Sequence, residues 1–180
     1  MTLKELEELY LKRQSCREFT DKPLDGELVK EICRAALLAP SAMNAQPWKL
    51  IAVTGEKCKE VAKCMQRLGM NKFLSKAAAF IIVAEGSGNM LTKLGSAFKE
   101  NEFLRNDLGI LTAHIVLAAE AAGVGSCIIG WRDEKKLGEL VGLKKKARIP
   151  EVIALGYPPE DYAVREKKRK PLDEVFTLIK

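Results

Sequence analysis

One stretch constrains this chain more than any other: from Leu108 to Ala119 it runs twelve residues without a charge, inside a segment with helical character from Asp107 to Ala122. A helix that is apolar nearly all round must be covered on most of its faces. The stretch is too short to cross a bilayer, and no run of eighteen apolar residues occurs anywhere. It is therefore expected at the centre of a globular core, with a partner subunit as one way to cover its remaining face. The 180 residues suffice for one such core and leave little room for a second. One domain, 1–180, is expected.

The rest of the chain supplies elements to pack on that helix. Thr2 and Glu5 form a capping-box pattern ahead of Leu6, Leu9 and Tyr10, which predicts a first helix ending near Lys12. Asp25 opens a second, with Leu28, Val29, Ile32, Ala35 and Ala36 on one face, and Pro40 limits it. Trp48–Thr54 reads as a strand closed by Gly55, followed by a helical stretch carrying Val61, Cys64, Met65 and Leu68. The unalternating run Phe80–Val83 reads as a central strand buried on both faces, ended at Gly86-Ser87-Gly88. Residues 90–105 are polar and only partly helical in pattern, and 86–106 are expected to help cover a cleft. Ser126–Gly130 is a short strand, Asp133 caps a helix through Leu137 and Leu140, and Ile149–Tyr157 is the last strand. The terminal Val175–Ile179 is an apolar patch that needs a docking place. Helices and strands alternate without a βαβ rhythm, so the fold class is α+β with a mixed central sheet flanked by helices.

Charge and cysteine usage exclude several functions. Thirty Lys and Arg stand against twenty-four Asp and Glu, a modest excess that permits an anionic ligand without demanding nucleic acid. The five cysteines are spread out with no Cys-x-x-Cys pair, so neither a metal site nor a redox dithiol is expected. The acidic start, Met1 to Glu5, lacks the pattern of a signal peptide, and a cytoplasmic location is expected. His114 is the single histidine and lies in the apolar helix without a nucleophile motif beside it, which favours a structural role over a hydrolase triad. No Gly-x-Gly-x-x-Gly occurs, so a Rossmann dinucleotide site is not expected.

Two segments carry chemistry. Arg13-Gln14-Ser15-Cys16-Arg17 places two guanidinium groups and a hydroxyl at the end of a helix, a donor set that suits a phosphate. Ala39-Pro40-Ser41-Ala42-Met43-Asn44-Ala45-Gln46-Pro47-Trp48 holds small residues and two amides between prolines, which suits close approach of backbone to a planar, hydrogen-bonding ligand. Each alone is also compatible with an ordinary turn. The basic clusters Lys144–Arg148 and Arg165–Lys170 read equally as solvated charged faces.

Together with Ala118–Gly130 and with Ala154-Leu155-Gly156-Tyr157-Pro158 followed by Lys167, Arg169 and Pro171–Val175, these segments resemble the flavin-dependent nitroreductase family over nearly the whole chain. The departures are Gln14, often basic in the family, and Cys16, often aliphatic. The resemblance implies bound FMN, an intertwined homodimer with the flavins at the subunit interface, and electrons passing from NADH or NADPH to a small oxidised acceptor such as a nitroaromatic or quinone. By that resemblance Arg13 and Ser15 contact phosphate and ribityl chain, with Gln14 and Arg17 near the pyrimidine side or the ribityl chain. Lys167 and Arg169 form a second clamp on the phosphate. Asn44 hydrogen-bonds the isoalloxazine ring, Pro40, Ser41 and Gln46 line the same loop, and Ile128, Ile129 and Gly130 lie near its reactive edge. No side chain is expected to act in the chemistry, which belongs to flavin N5, and no metal, nucleic acid or membrane is implied. Two other readings stand beside this one: a flavin-binding protein without turnover, and a basic nucleic-acid-binding module using the two clusters. The latter lacks interleaved aromatics and any reading motif.

Overall fold

The computed structural model describes residues 1–67, 69–86, 100–145 and 147–180, without the side chains of residues 100–102. Leu68, Lys146, the Ser87-Gly88 turn and most of the stretch expected to cover a cleft lie outside the described residues.

Helix α1, Leu3–Lys12, begins with the expected capping box: Glu5 N donates to Thr2 Oγ1 at 3.3 Å and Thr2 N donates to Glu5 Oε2 at 2.7 Å. Helix α2, Gly26–Ala36, is capped by Asp25, whose carboxylate accepts from Glu27 N. It ends earlier than Pro40 requires, because Leu38 N and Ala39 N turn back to Ala35 and Ala36 and tighten the last turn. Strand β1, Trp48–Thr54, has the expected bounds, and the shorter α3, Lys57–Lys63, leaves Cys64 and Met65 in a following turn. Strand β2, Ala79–Glu85, is buried from Ala79 to Ala84.

Helix α4 is the apolar element, and at Glu100–Ala121 it starts seven residues before Asp107. Its buried residues Leu108, Leu111, Ile115 and Ala119 recur at helical spacing, while Gly109, Ile110 and Ala113 are exposed on this chain. Truncating Leu111 or Ile115 to alanine is expected to cost about 2–5 kcal/mol. Gly123, at φ 70°, ends the helix in the left-handed conformation as Val124 N turns back to Ala119 O. Strand β3, Gly125–Ile129, helix α5, Glu134–Leu140, and strand β4, Glu151–Gly156, follow; β4 starts after Pro150, which has no N–H for the ladder. A one-turn helix α6, Leu172–Val175, closes the chain.

The strands lie in the order β1-β2-β4-β3 and pair antiparallel throughout. Among the described residues, parallel pairing enters at one place, an isolated bridge between Ser15 and Ser126 on the β3 edge. Because strand residues alternate between faces, Ala79, Ile81, Val83, Ile153 and Leu155 pack with α2 and α4, while Phe80, Ile82, Ala84, Val152 and Ala154 pack with α3 and α5. The result is an α/β/α sandwich of the α+β class. The terminal patch is not folded into either layer: Val175 is 62% exposed and Ile179 is 89% exposed. Among the described residues, no helix is long and apolar enough to cross a membrane.

Candidate functional site

The Arg13–Arg17 segment leaves α1 and lies along the open edge of the sheet. Cys16 N donates to Ser126 O at 2.8 Å, which makes the segment a short parallel addition to β3. The approach is close enough to favour glycine at 125, where a Cβ would stand 3.0 Å from Cys16 Sγ and 3.1 Å from Gly156 O.

The chain returns to this segment about 150 residues later. Tyr162 Oη accepts from Arg17 N at 3.0 Å, and Gln14 Nε2 donates to Ala163 O at 3.0 Å. Arg165 donates from its N at 3.1 Å and its Nε at 3.0 Å to Gln14 Oε1, and from a terminal nitrogen to Ser15 O at 2.7 Å. Both ends of the Gln14 amide are thus committed to the tail. This clasp carries Lys167 and Arg169 to the side of Arg13. Arg13 and Arg169 line one cavity of about 480 Å³, together with Tyr10, Thr112, Ile128 and Glu151. A larger groove of about 570 Å³ lies beside α5, but its Lys135, Lys144, Lys145 and Arg148 are interleaved with Glu134 and Glu139, and Arg148 pairs with Glu134 at 3.2 Å. Neither of the two segments that carry the expected ligand contacts enters it. The smaller cavity, where Arg13, Ile128 and Arg169 of the expected residues meet, is the candidate site.

The electrostatics agree with crowded positive charge. Burial lowers the Lys167 pKa, and the neighbouring Arg13, Arg169 and Arg165 lower it further against the pull of Glu120. Glu120 in turn has its carboxyl pushed up by burial, opposed by Lys167, Arg13 and Lys12. An anion placed among these groups relieves repulsion as well as gaining contacts. The buried Thr112 hydroxyl, which also lines the cavity, has no hydrogen-bond partner among the described residues.

The second expected segment is built differently. Between Pro40 and Pro47 the chain makes a 3₁₀ turn, Ala42–Asn44, with positive φ at Met43 (53°), Asn44 (51°) and Gln46 (46°). Side chains of these types adopt this region at a cost that the surroundings must offset. Here Gln46 N donates to Ser41 Oγ at 2.9 Å and Gln46 Nε2 to Asn44 Oδ1 at 3.0 Å. Ala42 N donates to Oδ1 of the buried Asp107 at 3.0 Å, fixing the loop to α4 two residues from the cavity-lining Gly109. Pro40, Ser41, Asn44 and Gln46 do not themselves line the cavity.

Of the expected site residues, Arg13, Ile128 and Arg169 meet at the cavity, and Lys167 stands beside them. Gln14, Ser15 and Arg17 lie in the edge segment and its clasp, and Ile129 is buried in the sheet next to the exposed Gly130. Sequence reasoning missed Arg165 and Tyr162 as the clasp, Asp107 as the loop anchor, and Thr112 and Glu151 as cavity residues. Only Asp107, an acid before an apolar run, carried a local signal. His114 turns back on its own helix, with Nδ1 2.9 Å from Ile110 O.

Known proteins share this fold. The model of the nitroreductase family matches residues 10–157. A protein of Archaeoglobus fulgidus, provisionally named as an NADH dehydrogenase/NAD(P)H nitroreductase, is 33% identical over 153 residues covering 83% of each chain. A nitroreductase family protein of Streptococcus pneumoniae superposes with a TM-score of 0.80 at 26% identity, over 97% of this chain and 100% of its own. A Clostridium difficile protein described as an FMN-dependent nitroreductase gives a TM-score of 0.75 at 25% identity, over 94% of this chain and 96% of its own. With the family pattern spanning the edge segment, the loop, the central helix and the sheet alike, this chain belongs to the nitroreductase family of oxidoreductases.

Proposed function

We propose that residues 1–180 act as one FMN-binding domain and that the protein is an FMN-dependent NAD(P)H oxidoreductase reducing a small oxidised acceptor such as a nitroaromatic or quinone. The observation that carries this reading is the meeting of Arg13 and Arg169, with Lys167 beside them, at one cavity that is also lined by a buried hydroxyl without a partner among the described residues. Those residues fit the group. Three cations suit a terminal phosphate, Ser15 lies two residues from Arg13, and Ile128 lines the cavity where a ring would lie. FMN supplies the two-electron chemistry when bound, and the chain's task is to bind it, orient it and keep competing reactions out. Arg17 would be the cation that favours negative charge on the pyrimidine side.

The site works as a dimer in this proposal. The exposed Gly109, Ile110 and Ala113 of α4, and the exposed tail from Leu172 to Ile179, are apolar surface that a second copy would cover. The loop Pro40–Pro47, with Ser41, Asn44 and Gln46, lies off its own chain's cavity and would meet the flavin of the partner across that interface. Cytoplasmic location follows the same reading.

The direct test is mass spectrometry of the chromophore released by heat, followed by anaerobic stopped-flow reduction with NADH and NADPH and mixing with nitroaromatic and quinone acceptors. FMN with rapid reoxidation by an acceptor is the expected outcome. FAD, or no flavin after reconstitution, overturns the cofactor; bound FMN without turnover favours a flavin carrier.

A further inference from the structure

Glu151 is a carboxyl that the reading above does not use, and its position is specific. Continuing the β3–β4 register one step past the Ile129–Val152 pair brings Glu151 alongside Gly130, which borders the expected reactive edge of the ring. Strand alternation turns Glu151 to the same sheet face as Ile153 and Leu155, the face covered by α4, and there it lines the cavity with Ile128 as floor and Thr112 as wall. Thr112 precedes Glu120 by eight residues, about 12 Å along the helix. Arg13 and Lys167, the basic groups that act on Glu120, are thus set off along α4 from the orphan hydroxyl, and Glu151 lines the same cavity as that hydroxyl.

We propose that Glu151 is the proton donor to the electron acceptor and that Thr112 holds the acceptor's oxygen against it. This rests on the oxidoreductase reading. An acceptor with a C=O or N=O bond takes up two electrons and one proton as hydride from the reduced cofactor. Its oxygen takes the second proton from the Glu151 carboxylic acid as the π bond breaks, and water returns a proton to the carboxylate. Two electrons and two protons are thus delivered, and no further reagent is needed. Burial raises the Glu151 pKa and Arg132 partly opposes the rise, so more of the acid form is present near neutrality than for an exposed glutamate. The other charged or titratable groups sharing the cavity are Arg13 and Arg169 at the cationic end and Tyr10 of α1.

Three measurements on Glu151→Gln and Thr112→Val test this. In the flavin-free protein, where Glu120 supplies such absorption of its own, the infrared carboxylic-acid band that persists above the ordinary glutamate range should be stronger in wild type than in Glu151→Gln. In the oxidised holoenzyme, benzoate binding followed by flavin absorbance should weaken as pH rises through the Glu151 titration in wild type, and be tighter and independent of that titration in Glu151→Gln. With quinone acceptor, kcat should fall about 100-fold in Glu151→Gln and lose its decline at rising pH, while FMN affinity stays within about twofold. Thr112→Val should raise the acceptor KM and leave the infrared band in place. If Glu151→Gln turns over like wild type, or the band is unchanged by the substitution, the proposal is overturned. Should Glu151→Gln not fold, Glu151→Asp, expected to shift part of the band and to keep part of kcat, replaces it in both arms, and a band and kcat both unchanged by it overturn the proposal. Failure to bind FMN at all sinks the parent reading instead, and the infrared measurement, made without flavin, tells the two failures apart.

Discussion

The Arg13–Arg17 segment and the Pro40–Pro47 loop present similar numbers of polar groups, yet they are held in place by opposite means. The first is extended backbone without strain, positioned by bonds from residues about 150 positions away: Tyr162 to Arg17, Ala163 and Arg165 to Gln14, and Arg165 to Ser15. The second is strained backbone, with three positive φ angles on non-glycine residues, held by bonds among its own side chains and one anchor on Asp107. A site assembled at long range gathers charge from distant parts of the chain. A site assembled locally fixes the direction of individual amides. In the proposed function the first serves the phosphate and the second the ring, and substitutions in the two should have separable signatures.

The largest expected effect is on the phosphate. If Arg13 and Arg169 both make charge-assisted contacts to it, each alanine substitution should weaken FMN binding by about 1.5–3 kcal/mol, tenfold or more. Riboflavin, which lacks the phosphate, should lose far less. Fluorescence titrations of both ligands measure this, and equal losses would mean that the substitution damages the fold rather than a contact.

The loop should show the reverse pattern. Asp107→Ala leaves Ala42 N without its acceptor at a buried position, an expected cost of about 1–3 kcal/mol in stability. FMN and riboflavin should then weaken by the same factor, because a misplaced loop cannot distinguish them. Asp107→Asn retains an acceptor oxygen and should recover most of the loss. Denaturant unfolding and the two titrations together check it, and a loss confined to FMN would erase the distinction between the regions.

A smaller effect separates clasp from contact. Gln14→Ala removes the acceptor for Arg165 and the bond to Ala163, so it should weaken FMN binding by about 1 kcal/mol without touching the ligand. Its effect should also be non-additive with Arg169→Ala, since a tail already released no longer delivers Arg169. A double-mutant cycle that sums within error would show that Gln14 does not position the tail.

How much of this was legible beforehand follows the same division. Strand Trp48–Thr54, the Thr2 capping box and the buried run Phe80–Val83 depend on local pattern, and each appears where the pattern puts it. Family and α+β class were legible because four ordered segments carry both. The true start of α4 at Glu100 was not, since its first turns lack the apolar spacing that marks the rest. The Gln14–Arg165 clasp left no trace, because no periodicity links residues 151 apart, and Glu151 was hidden for a related reason. Its neighbour Gly130 is defined by strand register, and register depends on which strands pair. The apolar tail was legible as a segment needing cover, but not its own chain's failure to provide it: Leu172 is 70% exposed and Phe176 56%.

The smallest expected effect is a pH dependence that only the phosphate region should show. In the free protein the Lys167 pKa is lowered, first by burial and then by Arg13, Arg169 and Arg165. A phosphate contact favours the ammonium form, so binding raises that pKa and takes up a proton wherever the free lysine is partly neutral. FMN affinity should therefore be flat at lower pH, decline as pH rises through the depressed Lys167 pKa, and level off above the pKa of the complex. For folding of the empty chain the sign is the reverse, because the lowered pKa means that the folded state binds fewer protons. That contribution is present above the ordinary lysine value and is lost as pH falls through the depressed one. Ionisation of Glu120, whose pKa is raised, also weakens phosphate binding as pH rises, but at the acid end of the range. The second ionisation of the phosphate, with a pKa of about 6, opposes it there, so titrations should be read above neutrality. Lys167→Arg, which cannot lose its proton in this range, should bind FMN without the decline, and riboflavin should show none with either protein. A decline shared by both ligands would place the titrating group at the ring, in the region of Asn44 and Glu151, and would transfer the pH dependence from the clasp to the other half of the site.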